Sequence, residues 1–234
     1  MGANLIHLQK NNLNKNDTHL PDEFRKLFKK HSTSLLVPKG KIIITQEDKE
    51  YDVYLVQSGL VEISFWSLDA KETIFREIHE GEFFGELAAI DNKARSANVV
   101  AVANSKLYKM SGKTFRDLLD THQNFRSWFI KTLVARIRSL SNKTVDLSHL
   151  NVGPRLWKEL IRMIENLPIE DDSVIIEKFP SQEKLAARLG AGREAINREL
   201  GSLIQSNYIK KMGRRKIKIL SVSSIRRLIE NLYD

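Results

Sequence analysis

The sequence predicts an α+β fold: an antiparallel β-domain first, a long helix second, and a small helical domain ending in a hairpin. Three observations carry this. From Ile42 to Met110, short apolar or alternating segments are separated by turn residues at a spacing of roughly 8 to 12 residues. From about Asn124 to Ser148 one uninterrupted helical run carries apolar residues stepping by three and four. Beyond Asn151, two short amphipathic stretches meet at Gly190-Ala191-Gly192 and lead into a basic hairpin. These parts are bounded as residues 1–123, 124–150 and 151–234.

In the first part the segments KIIITQ, DVYLVQSG, LVEISFWS, ETIFREI and SKLYKM combine period-two alternation with β-branched and aromatic residues. That pattern describes a compact sandwich or barrel. Helical pieces flank it, Asp22 to Lys30 before and Ser111 to Asp120 after.

The long helix places Ile130, Leu133, Ile137, Leu140, Thr144 and Leu147 along one line. So narrow a stripe is the seam of a coiled coil, which makes the chain a homodimer; a long helix packed within its own monomer is the alternative. Gly153-Pro154 then breaks the chain before a second amphipathic helix, VGPRLWKELIRMIENL, and the acidic loop Glu170 to Ser173 follows.

Pro180 to Ile209 reads PSQEKLAARLGAGREAINRELGSLIQSNYI. Ser181 is a helix N-cap, and Leu185, Ala186 and Leu189 form the inner face of a two-turn helix. The second helix, Arg193 to about Gln205, turns Ala195, Ile196, Leu200, Leu203 and Ile204 inward and Arg193, Glu194, Asn197 and Arg198 outward. Such a pair places a recognition helix in the major groove of DNA. Arginine donates two-pronged to guanine O6 and N7, and glutamate accepts from cytosine N4. IKKMGRRKIKIL is a wing turning at Met212-Gly213, and Arg214 and Arg215 lie against phosphates. The charge agrees: the net formal charge is +9, and between Phe179 and Lys218 ten basic residues face three acidic ones. Ser181, Gln182, Gly192, Arg193, Glu194, Asn197, Arg198, Arg214 and Arg215 are the candidate DNA-contacting residues.

Composition excludes other classes. Hydrophobic residues at 41% and charged residues at 29% describe an ordinary globular protein. No apolar run reaches the roughly 20 residues of a membrane helix, and the polar start MGANLIHLQKNNLNKND has no signal core, so a cytoplasmic location is expected. Without cysteine there are no disulfides, thiolate zinc sites, iron–sulfur clusters or cysteine nucleophiles, and the six histidines form no convincing haem ligand pair. No Ser-His-Asp order, metal-spaced His/Glu cluster, P-loop or dinucleotide fingerprint is present, so an enzyme is not expected.

The remaining motif is FGELAAIDNKARSANVV, Phe84 to Val100. Arg95, Ser96 and Ala97 supply a guanidinium, a hydroxyl and an unobstructed amide, which suit a phosphate. Glu86 would repel a phosphate but accept from a ribose hydroxyl, so acid and base hold opposite ends of a sugar phosphate or else form a salt bridge with each other. This stretch resembles the phosphate-binding cassette of cyclic-nucleotide-binding domains. With the long helix and SQEKLAARLGAGREAINREL, the chain resembles the cyclic-AMP receptor protein branch of the bacterial cyclic-nucleotide-binding, winged helix-turn-helix regulators over about residues 35 to 220.

The resemblance implies an N-terminal antiparallel β-roll, a long dimerisation helix and a C-terminal winged helix-turn-helix. It implies that Glu86 holds the ribose, that Arg95 and Ser96 hold the cyclic phosphate, and that backbone groups of Gly85, Leu87, Ala88 and Ala97 complete the cradle. It implies cyclic AMP as allosteric ligand, double-stranded DNA with a palindromic operator as partner, and RNA polymerase contact for an activator. Leu140 and Ser141 stand where the family's purine-contacting threonine and serine lie, with Asn142 next, and these three are the candidate base-facing residues. With the threonine missing, cyclic GMP stays open beside cyclic AMP. Gly192 stands where relatives carry a phosphate-touching serine, and a ligand-independent repressor of the same architecture is a further alternative.

Overall fold

The computed structural model describes residues 19–66 and 72–232, which form two compact units, one up to Leu140 and one from Ser141 onward. In the first unit two antiparallel four-stranded sheets have the orders β1-β8-β3-β6 and β2-β7-β4-β5. Their strands are β1 (Thr33–Val37), β2 (Ile42–Ile44), β3 (Val53–Ser58), β4 (Val61–Trp66), β5 (Glu72–Ile78), β6 (Phe83–Phe84), β7 (Asn98–Ala101) and β8 (Ser105–Met110). Helices α1 (Asp22–Lys30) and α3 (Gly112–Thr121) flank the strands, and α2 (Glu86–Asp91) follows β6. Ser111 caps α3 by accepting a hydrogen bond from the Thr114 amide at 3.1 Å.

Strand β3 lacks the alternation of its neighbours because both of its faces are buried. Val53 and Leu55 pack with Phe28, Phe83, Phe115, Phe125 and Phe129 in a helix-facing core. Tyr54 and Val56 pack with Val61, Ile78, Phe84, Val99 and Leu107 between the two sheets. The unit is therefore helices, sheet and sheet in three layers.

Helix α4 (Gln123–His149) carries residues of both units, and the division falls between Leu140 and Ser141. Ile130, Val134, Ile137 and Leu140 are exposed along it, Ile137 at 61%. Leu133, expected in that stripe, instead packs against the helix-facing core, and Val134 takes its place.

The second unit holds α5 (Val152–Ile164), β9 (Val174–Ile176), α6 (Gln182–Leu189), α7 (Arg193–Gln205), β10 (Ile209–Gly213), β11 (Lys216–Ile219) and α8 (Val222–Glu230). Gly153 and Pro154 lie in the first turn of α5, where proline forfeits no hydrogen bond. The sheet order is β10-β11-β9, and Leu156, Leu160, Leu185, Ile196, Leu203, Ile217 and Ile225 form the core. Ile204, expected inward, is exposed. Among the described residues no helix is long and apolar enough to cross a membrane, and no cluster of three or more His, Cys, Asp or Glu could hold a metal ion.

Candidate functional sites

The cassette begins where β6 ends. Gly85 has φ +84°, and a Cβ there would lie 2.7 Å from the Asp52 carbonyl oxygen and 2.9 Å from Arg95 Nη1, so only glycine fits. The close approach has a purpose: Arg95 Nη1 donates to the Gly85 carbonyl and Nη2 to the Asp52 carbonyl, both at 2.8 Å. Arg95 is only 3% exposed, its Nε has no partner, and among the described residues no carboxylate pairs with it. Burial holds its pKa below the usual arginine value, opposed by Tyr54, Asp52, Glu50 and Glu86. A buried cation braced only by carbonyl dipoles retains a full charge for an anion to neutralise.

Glu86 and Arg95 do not form the salt bridge with each other that the sequence left open. Buried Glu86 accepts from Arg136 Nη1 at 2.6 Å, and Arg136 also donates from Nη2 to the Phe83 carbonyl at 2.9 Å. The Arg136 guanidinium lies over the Phe83 ring, 4.4 Å from its centroid. The sequence reading missed Arg136. Its signal was the helical line Phe129, Leu133, Arg136, whose first two members face the core.

A second arginine was missed as well. Arg76 stands opposite Ile63 on β5 and shares the inward face with Ile78, so a base occupies an apolar register position. Arg76 Nη2 donates to Glu82 Oε1 at 3.2 Å, and Glu82 Oε2 accepts from the His79 amide at 2.8 Å.

Of the other expected ligand residues, Ala88 is buried, Ala97 half-buried, and Leu87 and Ser96 exposed. Leu87 and Ser96 line a cavity of about 270 Å³ with Ile90, Asp91, Lys93, Ala94, Phe129 and Leu133; Glu86 and Arg95 are not part of its wall. Leu140 is half-exposed at the end of the first unit, whereas Ser141 and Asn142 belong to the second.

In the second unit Ser181 caps α6 by accepting from the Lys184 amide at 3.2 Å. Gly190 ends α6 at φ +56°, and exposed Gly192 is the N-cap of α7. Arg193, Glu194, Asn197 and Arg198 are all exposed on the first turns of α7. Two are pre-engaged by α6: Gln182 Nε2 donates to Asn197 Oδ1 at 2.9 Å, and Arg193 Nη1 pairs with Glu183 Oε1 at 3.1 Å.

The wing turns at Arg214-Arg215 and not at Met212-Gly213, because Gly213 closes β10 opposite Lys216 after a register shift from Lys211. Arg215 stays exposed, yet its carbonyl accepts from the Phe179 amide at 2.8 Å and its Nε donates to the Phe179 carbonyl at 3.2 Å.

Behind the reader, Glu159 on α5 is buried and accepts from Arg162 Nε and Nη2 at 2.7 Å each and from Arg188 Nη1 on α6 at 3.3 Å. Burial by itself would raise the carboxyl pKa, but the Arg162 and Arg188 hydrogen bonds and charges outweigh it and hold it below the usual range. Burial pushes the nearby Lys143 ammonium down, with Arg162 and Arg188 adding to the effect and Glu159 opposing it. Arg155 Nη1 donates to the Leu189 carbonyl at 2.6 Å, a second tie between α5 and α6.

The family model described as a cyclic nucleotide-binding domain matches residues 35–122, and that of a Crp-like helix-turn-helix domain matches 154–228. The chain belongs to the CRP branch of this regulator superfamily. It is thus a cyclic-nucleotide-binding, DNA-binding transcription regulator. The CRP-like cAMP-activated global transcriptional regulator of Mycobacterium tuberculosis is 21% identical over 178 residues, covering 76% of this chain and 80% of the relative. The cAMP-activated global transcriptional regulator CRP of Salmonella typhimurium is 24% identical over 178 residues, 76% of this chain and 85% of its own length. The solved structure of a CooA mutant from Carboxydothermus hydrogenoformans superposes with a TM-score of 0.77 at 16% identity, covering 94% of this chain and 98% of that one. This CRP-branch chain carries both motifs in the family's order, cassette first and reader second.

Proposed function

We propose that the chain is a cytoplasmic, homodimeric transcription factor whose binding to a palindromic operator is controlled by a 3′,5′-cyclic nucleotide. The observation that carries the ligand is Arg95, a buried cation braced by two carbonyls beside the Ser96 hydroxyl, with no carboxylate partner among the described residues. The cyclic phosphate takes Arg95, Ser96 and the amides of Leu87, Ala88 and Ala97, and the ribose takes Glu86. The relatives' names bring cyclic AMP as the ligand. Cyclic GMP is the second reading, favoured by Arg76.

Exposed Ile130, Val134, Ile137 and Leu140 form the pairing stripe of the two copies. Two recognition helices paired in this way meet successive major grooves about 34 Å apart. An activator of this kind would contact RNA polymerase. Because Arg136 holds Glu86 from α4, a ribose on that carboxylate acts directly on the helix that carries the pairing stripe.

Linkage gives the test. If the nucleotide favours the DNA-competent state, the coupling is ~1 to 3 kcal/mol, and operator tightens nucleotide binding by the same factor as nucleotide tightens operator binding. The measurement is calorimetry with cyclic AMP and with cyclic GMP, each with and without an operator selected from random duplexes. Equal nucleotide affinities in the two arms would reject the switch and leave a ligand-independent repressor.

The reader makes a separate prediction. Arg193→Ala and Arg198→Ala each cost ~1 to 3 kcal/mol on the selected operator and relax its sequence preference, whereas Arg215→Ala weakens all duplexes about equally and flattens the salt dependence. Fluorescence anisotropy against salt on matched and scrambled duplexes separates the two classes; identical behaviour would remove the distinction between base reading and backbone holding.

A further inference from the structure

The inward face of β5 carries a charge that the phosphate and ribose contacts do not use. Val61, Ile63 and Ile78 pack between the sheets, yet Arg76 stands opposite Ile63 in the same layer. The β4–β5 ladder shifts register between Ile63 and Ser64, which leaves Phe75 as the extra residue beside Arg76. Bulges of this kind re-aim a neighbouring side chain. Arg76 is held by Glu82, the chain neighbour of Phe83, whose carbonyl accepts from Arg136, and Arg136 also pairs with Glu86, so Arg76 shares the neighbourhood of the carboxylate assigned to the ribose. Its hydrogen bond to Glu82 occupies one of the five N–H groups of the guanidinium, and it is the single side-chain hydrogen bond of Arg76 among the described residues.

We infer that Arg76 reads the base of the bound nucleotide and selects a 6-oxopurine, guanine, over adenine. The inference rests on the reading of this pocket as a cyclic-nucleotide site and adds the choice of base. Arginine offers donors only. The guanine edge offers two adjacent acceptors, O6 and N7, which match a guanidinium fork. The same edge of adenine offers N7 beside the N6 amino donor, which meets an arginine donor against donor. Glutamine presents an acceptor oxygen beside a donor amino group and fits the adenine edge instead.

The experiment is calorimetric titration of the full chain with cyclic GMP, cyclic IMP and cyclic AMP, for the wild type, Arg76→Gln and Arg76→Lys. Cyclic IMP keeps O6 and N7 but lacks the 2-amino group, so it reports on this edge alone. The wild type is expected to bind cyclic GMP and cyclic IMP about equally and cyclic AMP about tenfold or more weaker. Arg76→Gln brings that ratio to one or inverts it, and Arg76→Lys reduces the ratio while keeping the charge. A wild type that binds cyclic AMP as tightly as cyclic GMP overturns the inference, whatever the folding of the variants. So does a ratio unmoved in both variants, which would make Arg76 only the partner of Glu82. Loss of all three nucleotides together in Arg95→Ala belongs to the pocket reading, and failure of the wild type to bind any of them overturns both.

Discussion

Replacing Arg95 with alanine is expected to remove cyclic-nucleotide binding while the first unit stays folded. Truncating one side of a buried, hydrogen-bonded charge pair costs about 2 to 5 kcal/mol, which moves a micromolar ligand toward the millimolar range. The same change takes a donor from the Gly85 and Asp52 carbonyls, a loss of ~1 to 3 kcal/mol for each group left unsatisfied. Binding and thermal unfolding therefore have to be measured on the same sample. Arg95→Lys, a point charge with no fork, should bind more weakly than the wild type and more tightly than the alanine variant. An alanine variant that binds normally would reduce Arg95 to a brace between two loops.

The largest effect on stability is expected at Glu159. Its carboxylate is the shared acceptor of Arg162 and Arg188, and Arg188 stands on the first helix of the reader. Glu159 is buried and the Arg188 side chain nearly so, while Arg162 is about half-exposed. Breaking a buried pair typically costs about 3 to 5 kcal/mol, so Glu159→Ala should lower the unfolding midpoint of the second unit by many degrees. The pH dependence has a definite sign. The folded pKa lies below that of the free side chain, ~4.3, so the contribution is complete above that value and is lost as pH falls through the lower folded value. In urea titrations the gap between wild type and Glu159→Gln should thus be widest near neutrality and begin to narrow once pH falls below ~4.3. A gap independent of pH would mean that packing, and not the charge of Glu159, holds α5 to α6.

Much of the architecture is legible in the sequence because local pattern and tertiary role agree. Alternation marks β4, β7 and β8, and the Gly190 and Ser181 signals bound α6 and the turn after it. The misses share a cause, since each depends on a partner far away in sequence. Arg136 and Glu86 are 50 residues apart, and nothing near either one announces the other. Leu133 and Val134 both suit a helical stripe, and only the aromatic cluster of the first unit decides that Leu133 turns inward. The wing tip is misplaced from sequence because Gly213 looks like the turn residue, while the ladder runs past it and the two arginines make the turn. Arg76 hides in plain alternation, where a base reads as an outward residue although its register position faces inward.

The exposed line of Ile130, Val134, Ile137 and Leu140 has a consequence for quantity as well as shape. Under the proposed pairing a second copy buries it, so the active species forms in proportion to the square of the monomer concentration until pairing saturates. A modest change in how much of the regulator a cell makes would then shift its operator occupancy as effectively as a change in nucleotide level. Abundance becomes a second input to the same switch.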